Sequence, residues 1–409
     1  MRLDRAGVAL TLLLPVFLLH GRGIAELLGV LVGLLFLVRS AVLWDWAWLR
    51  TAWMLVAWAW WGWLVLCSAL ASPAQLGQAL GVVRFLVLVA ALEHWTLRTP
   101  AAKLWLGRLL HWAALYIALQ ALLQFATGRN LYGYPRGADG ELTGPYANPR
   151  AGAPLSRLLF PAVLPPLGRW LARPGWWPVA GVALALGGVA ITVLIGQRMP
   201  LLLVLLGLFV SALLLPRLRG VVLAALVTTG LLLSATSVVS PPTFARMVTK
   251  FSSQMEHFGD SHYGQIAARA LAIARAHPVL GAGFDGFRRR CEDPAYFVGW
   301  GASDGRGGDG GGAAICVQHP HNHYLQAVVE GGVPGLLLFC ALVLAWLRAV
   351  GRGLWRDPDP LRVGLFVAVL IQEWPIASAS AFTSMPLSGW FFVLLGLGLA
   401  ETRAYMSAK

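Results

Sequence analysis

Apolar residues run through this chain in blocks of roughly 15 to 23, long enough to cross a bilayer as helices. Short breaks carrying Arg, Gly or Pro separate them. Reading the blocks between charged breaks predicts about twelve spans. Their positions are roughly 7–21, 23–38, 51–72, 76–94, 104–127, 151–172, 176–196, 199–216, 220–240, 323–347, 361–383 and 387–402, with boundaries uncertain by several residues. The run 41–49 is too short and too charged to span and reads as an interfacial piece. The predicted class is therefore an all-α integral membrane protein. Its organisation is nine spans in 1–240, a polar loop in 241–320 and three further spans in 321–409.

With the N-terminus placed in the cytoplasm, the loop arginines and lysines sort by side. Arg2, Arg5, Arg39, Arg50, Arg98, Lys103, Arg108, Arg169, Arg173, Arg217, Arg219, Arg348, Arg352, Arg356, Arg362, Arg403 and Lys409 all fall inside. The short outer loops keep only Arg22, Arg129, Arg136, Arg150 and Arg198. That asymmetry predicts both termini in the cytoplasm and two longer loops outside, about 128–150 and 240–320. In the second, His262 to His277 has an alanine-rich helical composition, stopped by Pro278 and followed by a Gly281–Gly283 turn. Thr243 to His257 reads as a second, amphipathic helix on the membrane surface. Gly301 to Gly312 is glycine-rich and reads as mobile.

Composition agrees with the pattern. The 409 residues are 58% hydrophobic and 12% charged, about half the charge of a soluble chain. Many of the nineteen Trp sit beside charged or Gly/Pro breaks, as in an interfacial belt. Met1 to Arg5 is basic and precedes an apolar run without a small-residue cleavage site, which reads as a signal anchor. The formal charge of +14 lies in short loops rather than in a basic cluster with interleaved aromatics, which excludes nucleic acid as a partner. Cys67 and Cys340 fall in spans as apolar fillers. Cys291 and Cys316 share the outer loop, where a disulfide would close over the glycine-rich segment if their separation permits.

Charges inside a bilayer are costly, so Arg84, Arg157 and Glu373, all within predicted spans, are candidates for function or for structural ion pairs. Glu373 reads best as a partner for one of the arginines. Arg198, in GQRMP where two spans meet on the outer face, can offer a guanidinium fork to a phosphate at the bilayer surface. On the same side lie His319, His321 and His323, where the long loop enters the tenth span. No Asp or Glu is interleaved with them, so a neutral imidazole acting as a general base is favoured over a metal site. His321 and Asn322 open the helix.

His321-Asn322, nine residues, then Gly332-Val-Pro-Gly335 resembles the signature of O-antigen ligases. AHPVLGAGF, from Ala276 to Phe284, is similar to the HPxxGxG block of the wider ligase and polymerase superfamily. TGPYANPR, from Thr143 to Arg150, resembles that superfamily's G-x-F-x-N-P segment. The resemblance implies a GT-C-like glycosyltransferase with a partly helical periplasmic loop. It would move O-antigen polysaccharide from undecaprenyl diphosphate to the lipid A–core oligosaccharide in the bacterial inner membrane. The periplasmic reaction inverts the anomeric centre and needs no metal ion or other cofactor. It further implies His321 as general base, Arg198 on the donor diphosphate and a second loop arginine, carried to Arg269 by its place before the HPxxGxG block. Arg275 and Arg288 are alternatives for that register. Arg84, Arg136 and Asn322 are lesser candidates for holding diphosphate or acceptor. The competing expectations are an O-antigen polymerase or protein O-oligosaccharyltransferase of the same superfamily and, in another class, a lipid or sugar transporter. The chain's end at Lys409 soon after the last span counts against the longer protein-glycosylating relatives. The absence of an obvious internal repeat counts against the transporter.

Overall fold

The computed structural model describes residues 2–137, 139–296, 316–377, 381–385 and 387–409. Gly301 to Gly312, expected to be mobile, lies outside the described residues. Helices dominate, and the described residues contain no strand, only an isolated bridge between Arg129 and Pro135.

The first half of the chain forms α1 (Arg2–His20), α2 (Arg22–Leu43), α3 (Ala52–Ala71), α4 (Pro73–Gly81), α5 (Val83–Ala91) and α6 (Pro100–Thr127). There follow α7 (Gly152–Leu171), α8 (Trp177–Ile195), α9 (Arg198–Leu214) and α10 (Arg219–Val239). The long loop holds α11 (Pro241–Phe244), α12 (Lys250–Glu256), α13 (His262–Ala276) and α14 (Gly286–Arg290). The chain then ends in α15 (His323–Val350), α16 (Pro360–Gln372) and α17 (Leu387–Ser407). A helix lies on each of the twelve predicted segments, the fourth split between α4 and α5. Eight of the described helical runs are long and apolar enough to cross a membrane. The interfacial reading of 41–49 is only partly matched. Helix α2 runs on to Leu43, and a 3-10 turn covers Ala47–Arg50.

Starts follow capping chemistry. Ser72, Thr99 and Asp359 accept backbone N–H groups at the N-termini of α4, α6 and α16, each followed by a proline at the first helical position, where its missing N–H costs nothing. Two large apolar cores result. One gathers α1 to α6 with α15 and α17. The other gathers α8, α9 and α10. Helices α7 and α16 contribute to both and form the seam. Gly364 makes that seam tight, since a Cβ there would lie 2.8 Å from the Phe160 carbonyl oxygen. Helix α16 has only 13 residues, and Glu373 is its C-cap rather than an interior residue of an eleventh span.

Candidate active site

The two glycine-bearing blocks of the sequence meet as a clasp. Helix α15 breaks at Gly332, whose φ is +64°. Pro334 has no N–H to give the Glu330 carbonyl, and the break removes the neighbouring helical bonds, so several buried groups need partners. The HPVLGAG turn supplies them. Ala282 N–H donates to the Val329 carbonyl at 2.7 Å and Gly283 N–H to the Glu330 carbonyl at 3.0 Å. Val333 N–H donates to the Pro278 carbonyl at 2.8 Å. The Gly331 carbonyl accepts the Trp63 indole N–H at 2.8 Å. The Glu330 carboxylate accepts the Asp285 backbone N–H at 3.0 Å. Gln75 on α4 donates to the carbonyls of Ala282 and Phe284, anchoring the turn to the first core. The glycines are needed for closeness, because a Cβ on Gly332 would sit 2.3 Å from the Val279 oxygen. The clasp fixes the loop helices over the start of α15.

At that start, Asn322 is the N-cap, its side-chain oxygen accepting the N–H of Tyr324 and Leu325 at 3.0 Å each. Its amide donates to the Pro375 carbonyl at 2.7 Å, tying the cap to the segment after α16. Asn322 thus acts in helix capping and docking. His321 has a left-handed backbone, φ +54°, unusual for a residue with a Cβ. Its ring lies 4.6 Å from that of His319 and meets Tyr263 edge-on at 5.7 Å. His323 faces the other way, buried against Phe382, with Nδ1 2.9 Å from a Glu373 carboxylate oxygen. The three histidines therefore divide two and one. Among the described residues no group of three or more His, Cys, Asp or Glu is placed to hold a metal ion.

Arg198 opens α9 after Gly196, whose positive φ turns the chain. Gln197 locks this turn to the early outer loop by donating to the Pro149 carbonyl at 2.7 Å and accepting from Gly152 N–H at 3.0 Å. The TGPYANPR segment thus abuts the GQRMP segment. The Arg198 guanidinium donates to the Gln254 amide oxygen and lies 5.8 Å from the Phe251 ring centroid. It is also within electrostatic reach of Tyr263, Glu141 and Arg246. Arg246 is itself neutralised by Asp139 at 2.9 Å and Glu141 at 2.7 Å. Among the described residues, Arg198 forms no ion pair. Tyr263, half exposed on α13, is in ring contact with His321 and in electrostatic reach of Arg198.

The other arginines are placed differently. Arg269 is 2% exposed and donates to the Cys291 carbonyl at 3.0 Å and to the Cys316 sulfur at 3.4 Å. Cys291 and Cys316 are joined by a disulfide with Cα atoms 5.6 Å apart. Arg269 therefore packs against the disulfide, while Arg275 and Arg288 are exposed. Arg136 donates to the Gln124 and Phe125 carbonyls at the end of α6. Arg84 pairs with Glu26 at 2.7 Å, the structural alternative for that intramembrane charge. Arg157, buried on α7, donates to Gln372 and is electrostatically coupled to Glu373 and Tyr146. Sequence reasoning paired Glu373 with an arginine but missed His323 as its hydrogen-bond partner. It also missed Tyr263, for which no motif exists.

Residues 181–340 match the family described as O-Antigen ligase. The match supports a member of the O-antigen ligase superfamily. The matched stretch begins in α8 and ends in α15. It therefore includes Arg198, the disulfide loop, both halves of the clasp and His321, while TGPYANPR lies before it. No curated protein matches the chain. Its eight described helical runs long and apolar enough to cross a membrane make it a multi-pass membrane protein, and the family that it matches is glycosyltransferase-like.

Proposed function

We propose that this chain is an O-antigen ligase that transfers polysaccharide from undecaprenyl diphosphate to the lipid A–core oligosaccharide at the periplasmic face of the inner membrane. The carrying observation is that Tyr263 is in ring contact with His321 and in electrostatic reach of Arg198, which forms no ion pair among the described residues. In this reading Arg198 holds the donor diphosphate. It already carries the charge that a departing diphosphate needs, so the leaving group requires no proton. Neutral His321 takes the proton from an acceptor hydroxyl as its oxygen bonds to the anomeric carbon. The carbon–oxygen bond to phosphate breaks on the opposite side, inverting the centre. Tyr263 supplies a hydroxyl near the two. Arg269 acts by holding the disulfide-closed loop in place, with Arg275 and Arg288 as the exposed loop cations available to the polyanionic substrates. The sorting of loop arginines supports a periplasmic placement of the face carrying His321.

The test is His321→Ala in a host lacking its own ligase, with matched expression. Loss of general-base help lowers rates by about 10²–10⁴-fold. The lipopolysaccharide ladder should disappear while polymer accumulates on its lipid carrier. An intact ladder would remove His321 as the base. Loss of the polymer itself would point instead to polymerisation.

A further inference from the structure

A large concavity lies at the end of α15 away from the histidines. It is an apolar cleft of about 1120 Å³ between α3 and α15 on one side and α9 on the other. Trp53, Leu213 and Leu344 line it, with Arg348, Arg352 and Trp355 at its rim. It falls where the two apolar cores part, since Trp53 belongs to one and Leu354, deeper in the same cleft, to the other. Apolar walls of this extent match an apolar occupant.

Charge narrows the occupant. Arg348 lies in the last turn of α15 and Arg352 four residues on, so both project at one mouth. Neither guanidinium has an ion pair among the described residues. The nearby carboxylates are engaged elsewhere, Asp357 with Lys409 at 3.4 Å and Asp359 as the cap of α16. Trp355, 77% exposed, marks the level of the interface. An apolar slot ending in two unmatched arginines fits acyl chains below an anionic headgroup. The donor diphosphate cannot be that anion. Arg348 is 25 residues along α15 from His323, roughly 35 Å away on the opposite side of the membrane.

We propose that this cleft binds one anionic diacyl phospholipid of the leaflet opposite His321. Its chains lie between α3 and α9 and its phosphate rests on Arg348 and Arg352, closing the seam between the two cores. On the orientation read from the loop arginines this is the cytoplasmic leaflet. The inference does not depend on which sugar transfer the other face performs.

The experiment uses the full chain purified in detergent and titrated with phosphatidylglycerol or with phosphatidylcholine of the same chains, bound lipid being counted by native mass spectrometry. Phosphatidylglycerol should bind more tightly. The Arg348→Ala/Arg352→Ala variant should lose about fivefold in affinity per arginine for phosphatidylglycerol only, while Arg217→Ala, outside the cleft, should not. Leu213→Trp, which fills the slot, should displace both lipids. Melting of each variant without lipid checks folding, and if the arginine variant does not fold, the headgroup comparison on the unaltered chain decides. Equal binding of the two lipids, or an arginine variant that keeps its preference, overturns the proposal.

Discussion

His321 holds a backbone conformation that costs a side-chain-bearing residue of order 1–3 kcal/mol. The Asn322 cap immediately after it, bonded to α15 and to Pro375, is what makes that conformation persist. Arg198 is equally tied to its place by Gln197. Because a planar fork and a point charge bind diphosphate differently, Arg198→Ala should lower ligation by about 10²-fold or more. Arg198→Lys should recover only part of that loss, measured as transfer from a lipid-linked donor in vesicles. Asp285 carries a testable pH signature. Burial raises its pKa above the ordinary value despite Arg288 and Arg289. A raised folded value means that its favourable contribution is present below the unfolded pKa and is lost as pH rises through the folded one. Asp285→Asn keeps a residue tolerant of the left-handed backbone and removes the buried charge. It should therefore raise the melting temperature at neutral pH and leave it unchanged in strong acid. At this scale the positions of His321 and Asn322 at the opening of α15 and of Arg198 at the start of α9 were legible, because each stands in a motif with an order. Tyr263 was not. A phenol brought near two motifs by the packing of α13 leaves no periodic or spacing signal. The burial of Arg269 was hidden for the same reason, since a helical arginine reads alike whether it faces a substrate or a disulfide.

The break in α15 is the element on which the site depends. Gly332 has a positive φ and no room for a methyl, so Gly332→Ala should destabilise by more than about 3 kcal/mol. Gly187→Ala, in α8 with open space around it, should be neutral or slightly stabilising. Thermal melts in detergent would compare them, and equal behaviour would mean that the clasp contributes nothing. Helix positions were readable because apolar blocks, capping residues and prolines agree with one another. The expected loop helix and the observed α13 coincide almost to the residue, with Ser261 as cap and Pro278 after the end. Thr243 to His257 is helical as expected, but divided between α11, a π turn and α12. The mutual need of the two glycine blocks was invisible, because carbonyls freed by Pro334 are satisfied by a turn some fifty residues earlier, and hydropathy carries no record of such pairing.

For the whole molecule, hydropathy located the apolar helices but not the division into two cores with α7 and α16 across the seam. That division depends on which helix faces meet, and helices that are apolar all round do not announce their partners. It also overestimated the eleventh span, since the apolar run continues past Gln372 while the helix does not. At 1.5 Å per residue, α16 is about 20 Å long and α9 about 26 Å. A bilayer's hydrocarbon core is about 30 Å thick. Both short helices adjoin the corner where Arg198 and His323 lie, whereas α15 and α6 have 28 residues each. Helix α16 is buried within the protein, but α9 exposes Leu202 and Phe209, so its short outer face offers the bilayer a reduced hydrophobic height that neighbouring lipids must compress to match. A headgroup entering there descends toward the site through a membrane already thinned by the protein. Transfer in vesicles should be faster in lipids of shorter acyl chains than in long-chain lipids of the same headgroup, so that bilayer thickness becomes a control on the reaction.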